Sequence, residues 1–119
     1  MRQIAYTLSS CDTSKRILKE AQISIPDFEI KDIKAQAITA AELDEMKEMS
    51  GSYESLFSRR AQKYKSMGLK DKTLSENEIR TFILQEYTFL KRPVIIIGEK
   101  IFVGNAKKNI ALLMEKRAL

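Results

Sequence analysis

The chain has a single cysteine, and the residues around it are of the kinds that make a thiol reactive. Residues 9–16 read SSCDTSKR. A strand-like run ends just before Cys11, and a helix-like run begins just after it. A sulfur in that position feels the positive end of the helix macrodipole and faces free backbone amides. Lys15 and Arg16 add positive charge. The hydroxyls of Thr13 and Ser14 can donate to the sulfur or to a bound anion. All of this favours thiolate, the nucleophilic form. Asp12 works against it as a neighbouring anion, or else caps the helix. A free cysteine is as often a small buried hydrophobe, and these eight residues alone leave the two readings level. Position excludes two mechanisms. A tyrosine-phosphatase loop needs arginine six places after the cysteine, where Ile17 stands. A dithiol oxidoreductase needs a second cysteine three places on, where Ser14 stands, so Cys11 has no internal thiol to resolve its adducts.

Two further segments carry cations that could serve such a site. In FLKRPV, Arg92 precedes Pro93 just before an apolar run. An X-Pro bond takes the cis form at modest cost and then fixes a tight turn. Arg92 could hold an oxyanion through two parallel hydrogen bonds, or it is a surface arginine ahead of a strand. In SRRAQKY, Arg59 and Arg60 are adjacent, and on a helix they would point about a hundred degrees apart. One could face a site and the other solvent, or both could be ordinary surface charge.

The surrounding pattern says which elements would position these residues. IAYTL (Ile4 to Leu8) is β-like. It leads into a helix from about Ser14 to Ala21 with Ile17, Leu18 and Ala21 on one face. IPDFEI (Ile25 to Ile30) reads as a second strand, with Pro26 at its beginning or on an edge. Strand, helix and strand in that span make a βαβ unit with parallel strands and a right-handed crossover. Two helix starts follow. Thr39 with Glu42 and Ser75 with Glu78 are capping boxes, and Ile38/Leu43 and Leu74/Ile79 fit the hydrophobic staple. The first of these helices should stop before Gly51. The second carries Ile79, Phe82 and Ile83 on one face. One or two short helices ending near Gly68 are expected between them. Val94 to Ile97 reads as a buried strand, GEK as a turn and IFV as its hairpin partner. A final helix then turns Ile110, Leu113 and Met114 inward. The sum is a single α/β domain over 1–119: βαβ to about 31, a helical insertion over about 38–88, and ββα over about 92–116. Helices should flank a small mixed four-stranded sheet, the thioredoxin-like layout.

Composition bounds the rest. The chain has 119 residues, 44% of them apolar, enough for a core without covalent staples. There is no histidine, which removes Ser-His-Asp and Cys-His catalysis and most zinc sites. No metal and no bound cofactor is expected. One cysteine permits no internal disulfide, and the N-terminal apolar stretch is too short for a signal peptide. With no membrane-length apolar run, a reducing cytoplasmic location is the simplest expectation. The net charge of +5 suits anionic partners. The cations are interspersed with acids, so direct nucleic-acid binding is not expected.

Taken together, these residues resemble the arsenate-reductase (ArsC) family, which includes the Spx group of redox-sensing transcription regulators and YffB-like members. CDTSKR is similar to the family's C-x-T-S-basic loop after the first strand. LFSRRAQKYKSMGL resembles its Asn-x-Arg…Tyr segment, and alignment on Tyr64 places Arg60 on the family arginine. LKRPVIIIGEKIFVGNAKKNI resembles its Leu-x-Arg-Pro ending. The resemblance spans the chain and implies a thioredoxin fold with a helical insertion. It implies Cys11 as nucleophile toward arsenate, with Arg60 and Arg92 binding the oxyanion and Thr13, Ser14 and Lys15 supporting the site. Glutathione would be co-substrate, glutaredoxin would clear the mixed disulfide, and the protein would act as a monomer. Two features depart from the glutathione-coupled reductases. TLSS stands where they usually carry Asn-Pro. Gly104 and Asn105 stand near the place of a third arginine, with Lys107 the nearest cation. The Val-Gly ending is closer to Spx-like branches. For these the alternative is a non-enzymatic regulator binding the RNA polymerase α-subunit, or a glutathione-dependent reductase of another substrate.

Overall fold

The computed structural model describes residues 2–117. In chain order the elements are β1 (Gln3–Thr7), α1 (Asp12–Glu20), β2 (Glu29–Asp32), α2 (Ala40–Ser50), α3 (Gln62–Ser66), α4 (Glu76–Gln85), β3 (Val94–Ile97), β4 (Lys100–Val103) and α5 (Lys107–Arg117). Short 3-10 turns lie at Glu54–Leu56, Leu69–Asp71 and Tyr87–Phe89. Two compact units are formed. One holds the described residues up to Gln36 and from Arg92 onward; the other is Ala37–Lys91.

The first unit is a mixed four-stranded sheet of order β2-β1-β3-β4. β1 pairs with β2 in parallel and with β3 antiparallel, and β3 and β4 form a hairpin. The run Val-Ile-Ile-Ile explains the position of β3: every one of its residues is buried. β-branched side chains suit a pleated surface covered on both faces. Ala5, Ile95, Ile97 and Phe102 meet Ile17 of α1, Ala21 at its C-cap and Leu113 of α5, with Leu18, Ile110 and Met114 packed at the margin. Each fully buried aliphatic side chain of this kind contributes about 1.5–3 kcal/mol. The end of α5 is tied to the end of α1. Arg117 donates from Nε to the Ala21 carbonyl and from Nη2 to that of Gln22, both at 3.0 Å. Its guanidinium also lies 5.1 Å from the Phe28 ring centroid.

Two boundaries differ from the sequence expectation. The stretch expected as a strand from Ile25 is a turn with a cis Ile25–Pro26 bond, and Ile25 is 72% exposed. β2 begins only at Glu29, because the ladder starts where Ile4 finds its partner Glu29. Phe28 folds back into the core instead, its amide bonded to the Ser24 carbonyl at 3.0 Å. α1 begins at Asp12, two residues before the expected Ser14, with Cys11 itself as the extended N-cap residue at φ −98°.

The second unit is helical. Both capping boxes form, with Thr39 and Glu42 opening α2 and Ser75 and Glu78 opening α4. Gly51 ends α2 in the left-handed region at φ 103°, where a side chain would be strained. Leu43 and Met46 of α2 and Ile79 and Ile83 of α4 are buried, as are Leu56, Phe57 and Phe89. The Phe57 and Phe89 rings are 5.2 Å apart. A polar lock joins the helices at their surface. Asp44 accepts from Arg80 Nε at 2.8 Å and Nη2 at 3.1 Å, and from the Tyr53 hydroxyl at 2.6 Å. The Arg80 pair holds the Asp44 carboxyl down at about 2, with Tyr53 acting in the same direction. Glu76 accepts the backbone amides of Tyr53 and Glu54 at 2.7 and 3.1 Å.

Candidate functional site

The loop from β1 to α1 delivers the cysteine. The Cys11 amide donates to the Leu8 carbonyl at 2.9 Å, and the Cys11 carbonyl accepts from the Lys15 amide at 3.1 Å. The residue is thus fixed on both sides of its α-carbon, at the positive end of a nine-residue helix. The buried Ser14 hydroxyl donates to Cys11 Sγ at 3.3 Å. Burial is the largest single influence on this thiol and pushes it up. Hydrogen bonds from the Ser14 hydroxyl and backbone N–H, with the hydrogen bond and charge of Arg92, outweigh it. The net direction is downward, toward thiolate at lower pH than an ordinary cysteine.

Arg92 is half-buried and stands two residues before β3 and the hairpin. The Arg92–Pro93 bond is cis. The Pro93 carbonyl accepts from the Gly104 amide at 2.8 Å, and the Gly104 carbonyl accepts from Asn109 Nδ2 at 2.8 Å. The hairpin and α5 therefore brace the turn that carries Arg92. The structure thus brings together Cys11, Ser14 and Arg92. Thr13 is half-buried in the first turn of α1, and Lys15 is exposed on that helix. Arg16 forms an i,i+4 ion pair with Glu20 at 3.8 Å, so the cation acting on the sulfur is Arg92 rather than Arg16. Asp12 is the first helical residue.

Arg59 and Arg60 do not sit on a helix as expected but in the turn before α3. Arg59 is engaged within the helical unit. It bonds Glu54 at 3.3 Å and lies 5.6 Å from the Phe57 ring centroid. Arg60 is exposed and makes no hydrogen bond or ion pair among the described residues.

One residue of the site is not evident in the sequence. Asp32, at the end of β2, accepts from the Ser9 hydroxyl and amide, and from the amides of Lys34 (3.0 Å) and Ala35, which together hold its carboxyl below the usual range. It stands opposite Thr7 in the ladder, so the tip of β2 lies under the loop that carries Cys11. The available signal was positional: in a βαβ unit the C-terminal ends of the two parallel strands are neighbours.

Among the described residues no cluster of ligating side chains could hold a metal, and no helix is long and apolar enough to cross a membrane. Residues 6–113 match the ArsC family. The chain belongs to that family. ArsC-family proteins of known structure share its fold. An arsenate reductase from Vibrio cholerae is 14% identical with a TM-score of 0.77, covering 97% of each chain. An ArsC-family-related protein from Bacteroides fragilis is 23% identical with a TM-score of 0.75, covering 95% of this chain and 98% of its own. An arsenate-reductase-related protein from Brucella melitensis is 21% identical with a TM-score of 0.69, covering 94% and 93%. No curated protein matches the sequence. Within the ArsC family, this chain has the thioredoxin-like arrangement of a mixed sheet with its cysteine at the start of the first helix.

Proposed function

We propose that this ArsC-family protein is a thiol-dependent oxidoreductase of the arsenate-reductase type, with Cys11 as nucleophile and a resolving thiol supplied from outside. One observation carries the proposal: the Cys11 sulfur sits at a helix N-terminus and accepts hydrogen bonds from Ser14 and Arg92. These donors stabilise a thiolate, and Arg92 also offers parallel N–H groups to an oxyanion. In the proposed cycle the thiolate attacks arsenic(V), forming an S–As bond and expelling an oxygen as water. The thiolate of glutathione then attacks the Cys11 sulfur. The S–As bond breaks with its electron pair going to arsenic, which leaves as arsenite. Two thiols have lost two electrons to arsenic, and Cys11 is left in a mixed disulfide with glutathione. A glutaredoxin-type thiol attacks the glutathione sulfur and returns Cys11 to thiolate.

Thr13 and Lys15 are assigned supporting roles at the thiolate. Arg60 is assigned to the oxyanion on its correspondence with the family arginine, by alignment on Tyr64. The proposal takes the helical stretch of about 38–88 as an insertion within one functional domain. The test is arsenate-dependent NADPH oxidation in the presence of glutathione, glutaredoxin and glutathione reductase. Activity that vanishes in Cys11→Ser supports the proposal; equal rates in the two proteins refute it. An inactive wild type that binds the carboxy-terminal domain of the RNA polymerase α-subunit would replace it with the regulator role.

A further inference from the structure

The outer edge of the sheet, remote in sequence from Cys11, is shaped to take another strand. β4 is the last strand of the order β2-β1-β3-β4, so one side of it has no neighbour in the sheet. The Gly104 amide bonds the Pro93 carbonyl. Antiparallel alternation from that bond along the pairs Val94–Val103, Ile95–Phe102 and Ile96–Ile101 aims the backbone of Phe102 at β3 and that of Ile101 and Val103 away from the sheet. The free edge is therefore two residues with outward N–H and C=O groups, spaced as a ladder requires.

Beside that edge lies an open groove of about 510 Å³, lined by Ile101 and Phe102 of β4 and by one face of α5 bearing Leu112. Leu112 is 49% exposed, on a different flank of α5 from the buried Leu113, and it offers an apolar contact beside the edge. Two lysines, Lys100 and Lys116, line the same groove with Glu115. Among the described residues neither lysine has a carboxylate within ion-pair distance.

We infer that β4 is a docking edge for an extended acidic peptide, which would add as a fifth strand with an aliphatic side chain against Leu112 and carboxylates on Lys100 and Lys116. Main-chain pairing with Ile101 and Val103 supplies the common part of the affinity, and the groove and the lysines supply the selectivity. Charge decides between this occupant and a second copy of the chain. A symmetric pairing of two β4 edges would bring the same lysines from both sides, and lysine on an edge strand is a device against that self-pairing. An acidic strand meets no such repulsion. The inference does not depend on the chemistry of Cys11.

The test uses the whole protein and the fluorescein-labelled peptide TETLTET, whose Leu and two Glu side chains share one face of an extended strand as the groove requires, followed by anisotropy and by amide chemical shifts of the nitrogen-15-labelled chain. Saturable binding with the largest shifts at Ile101, Val103 and Leu112 is expected. Leu112→Glu and the double variant K100E/K116E should each weaken it by about tenfold or more; all three side chains are exposed, so the fold is retained. The control peptide TETGTET, with the same charge and glycine in place of the leucine, should bind about tenfold less well. The inference is overturned by any of these outcomes: no saturation up to about 1 mM peptide, equal binding of TETGTET, undiminished binding by both variants, shifts centred elsewhere, or self-association of the free protein through the same amides.

Discussion

Removing the Ser14 hydroxyl should make Cys11 a weaker acid and a stronger base, and the two effects have separable signatures. Ser14→Ala deletes the donor 3.3 Å from Sγ and leaves a methyl group of similar size in a fully buried position. Alanine is the best helix former, so α1 should persist. A hydrogen bond to a charged group contributes about 1.5–3 kcal/mol. Cys11 is not fully buried, so the lower end applies, and about 1.5 kcal/mol lowers the thiolate fraction roughly tenfold wherever the pH lies below both thiol pKa values. The remaining thiolate is more basic, and with a Brønsted slope of about 0.4–0.5 its intrinsic nucleophilicity rises roughly threefold. The net expectation is attack on a small disulfide such as 4,4′-dithiodipyridine about threefold slower than wild type at low pH. At high pH, where both proteins are fully thiolate, the variant should be about threefold faster. Stopped-flow rates from pH 4 to 10 would show the two curves crossing. Superimposable curves would show that the Ser14 hydroxyl does not stabilise the thiolate. A variant slower by a constant factor at every pH would show lost access or folding, and the electrostatic account of the site would fail.

Arg92→Gln should shift the same rate profile upward in pH while also raising the KM for oxyanion, whereas Ser14→Ala should leave KM nearly unchanged; equal KM effects would contradict the assignment of anion binding to Arg92. Asp32→Ala should speed hydrogen exchange of the Ser9 and Cys11 amides, because it removes the carboxylate that accepts from the Ser9 hydroxyl and amide; unchanged protection would show that the tip of β2 does not hold the loop. The Asp44 carboxyl is depressed to about 2, so the Arg80 lock contributes stability that is fully present above the ordinary carboxylate range and is lost as pH falls from about 4 toward 2. The melting-temperature gap between wild type and Asp44→Asn should therefore close over that window, and a gap independent of pH would refute the lock. Arg117→Ala loses two bonds to carbonyls and a ring contact, about 1–2 kcal/mol, and should lower Tm by roughly 5 °C; a shift below about 1 °C would show the clamp to be idle.

What was legible in the sequence was written locally. Each capping box spans four residues, so the starts of α2 and α4 follow from Thr39/Glu42 and Ser75/Glu78 without knowledge of the rest of the chain. Val94–Ile97 announces a strand buried on both faces by composition alone. What was missed depends on partners far away. The start of β2 is set by its register with Ile4, not by the apolar character of Ile25. The Arg117 clamp joins groups 95 and 96 residues apart. Asp32 acts on Ser9 only because two strands run in parallel. The position of Cys11 between strand and helix was legible, but the first turn of α1 was not, because Cys11 caps it without a side-chain hydrogen bond and the apolar face begins only at Ile17. The action of Arg92 on Cys11 has no local signature either; it follows only from the thioredoxin-like layout, in which the turn before β3 faces the loop after β1.

The sheet unit is discontinuous in the chain, and that sets the order in which the protein is made. β1 sits between β2, which follows soon after it, and β3, which begins at Val94. At a synthesis rate of about 5–20 residues per second, β1 and its cysteine wait roughly 5–20 s for that antiparallel partner. Throughout that wait Arg92 has not been made, so a nascent Cys11 lacks the cation that favours its ionisation in the folded protein. Translation thus delivers a comparatively sluggish thiol first and completes its activation only when the last quarter of the protein emerges.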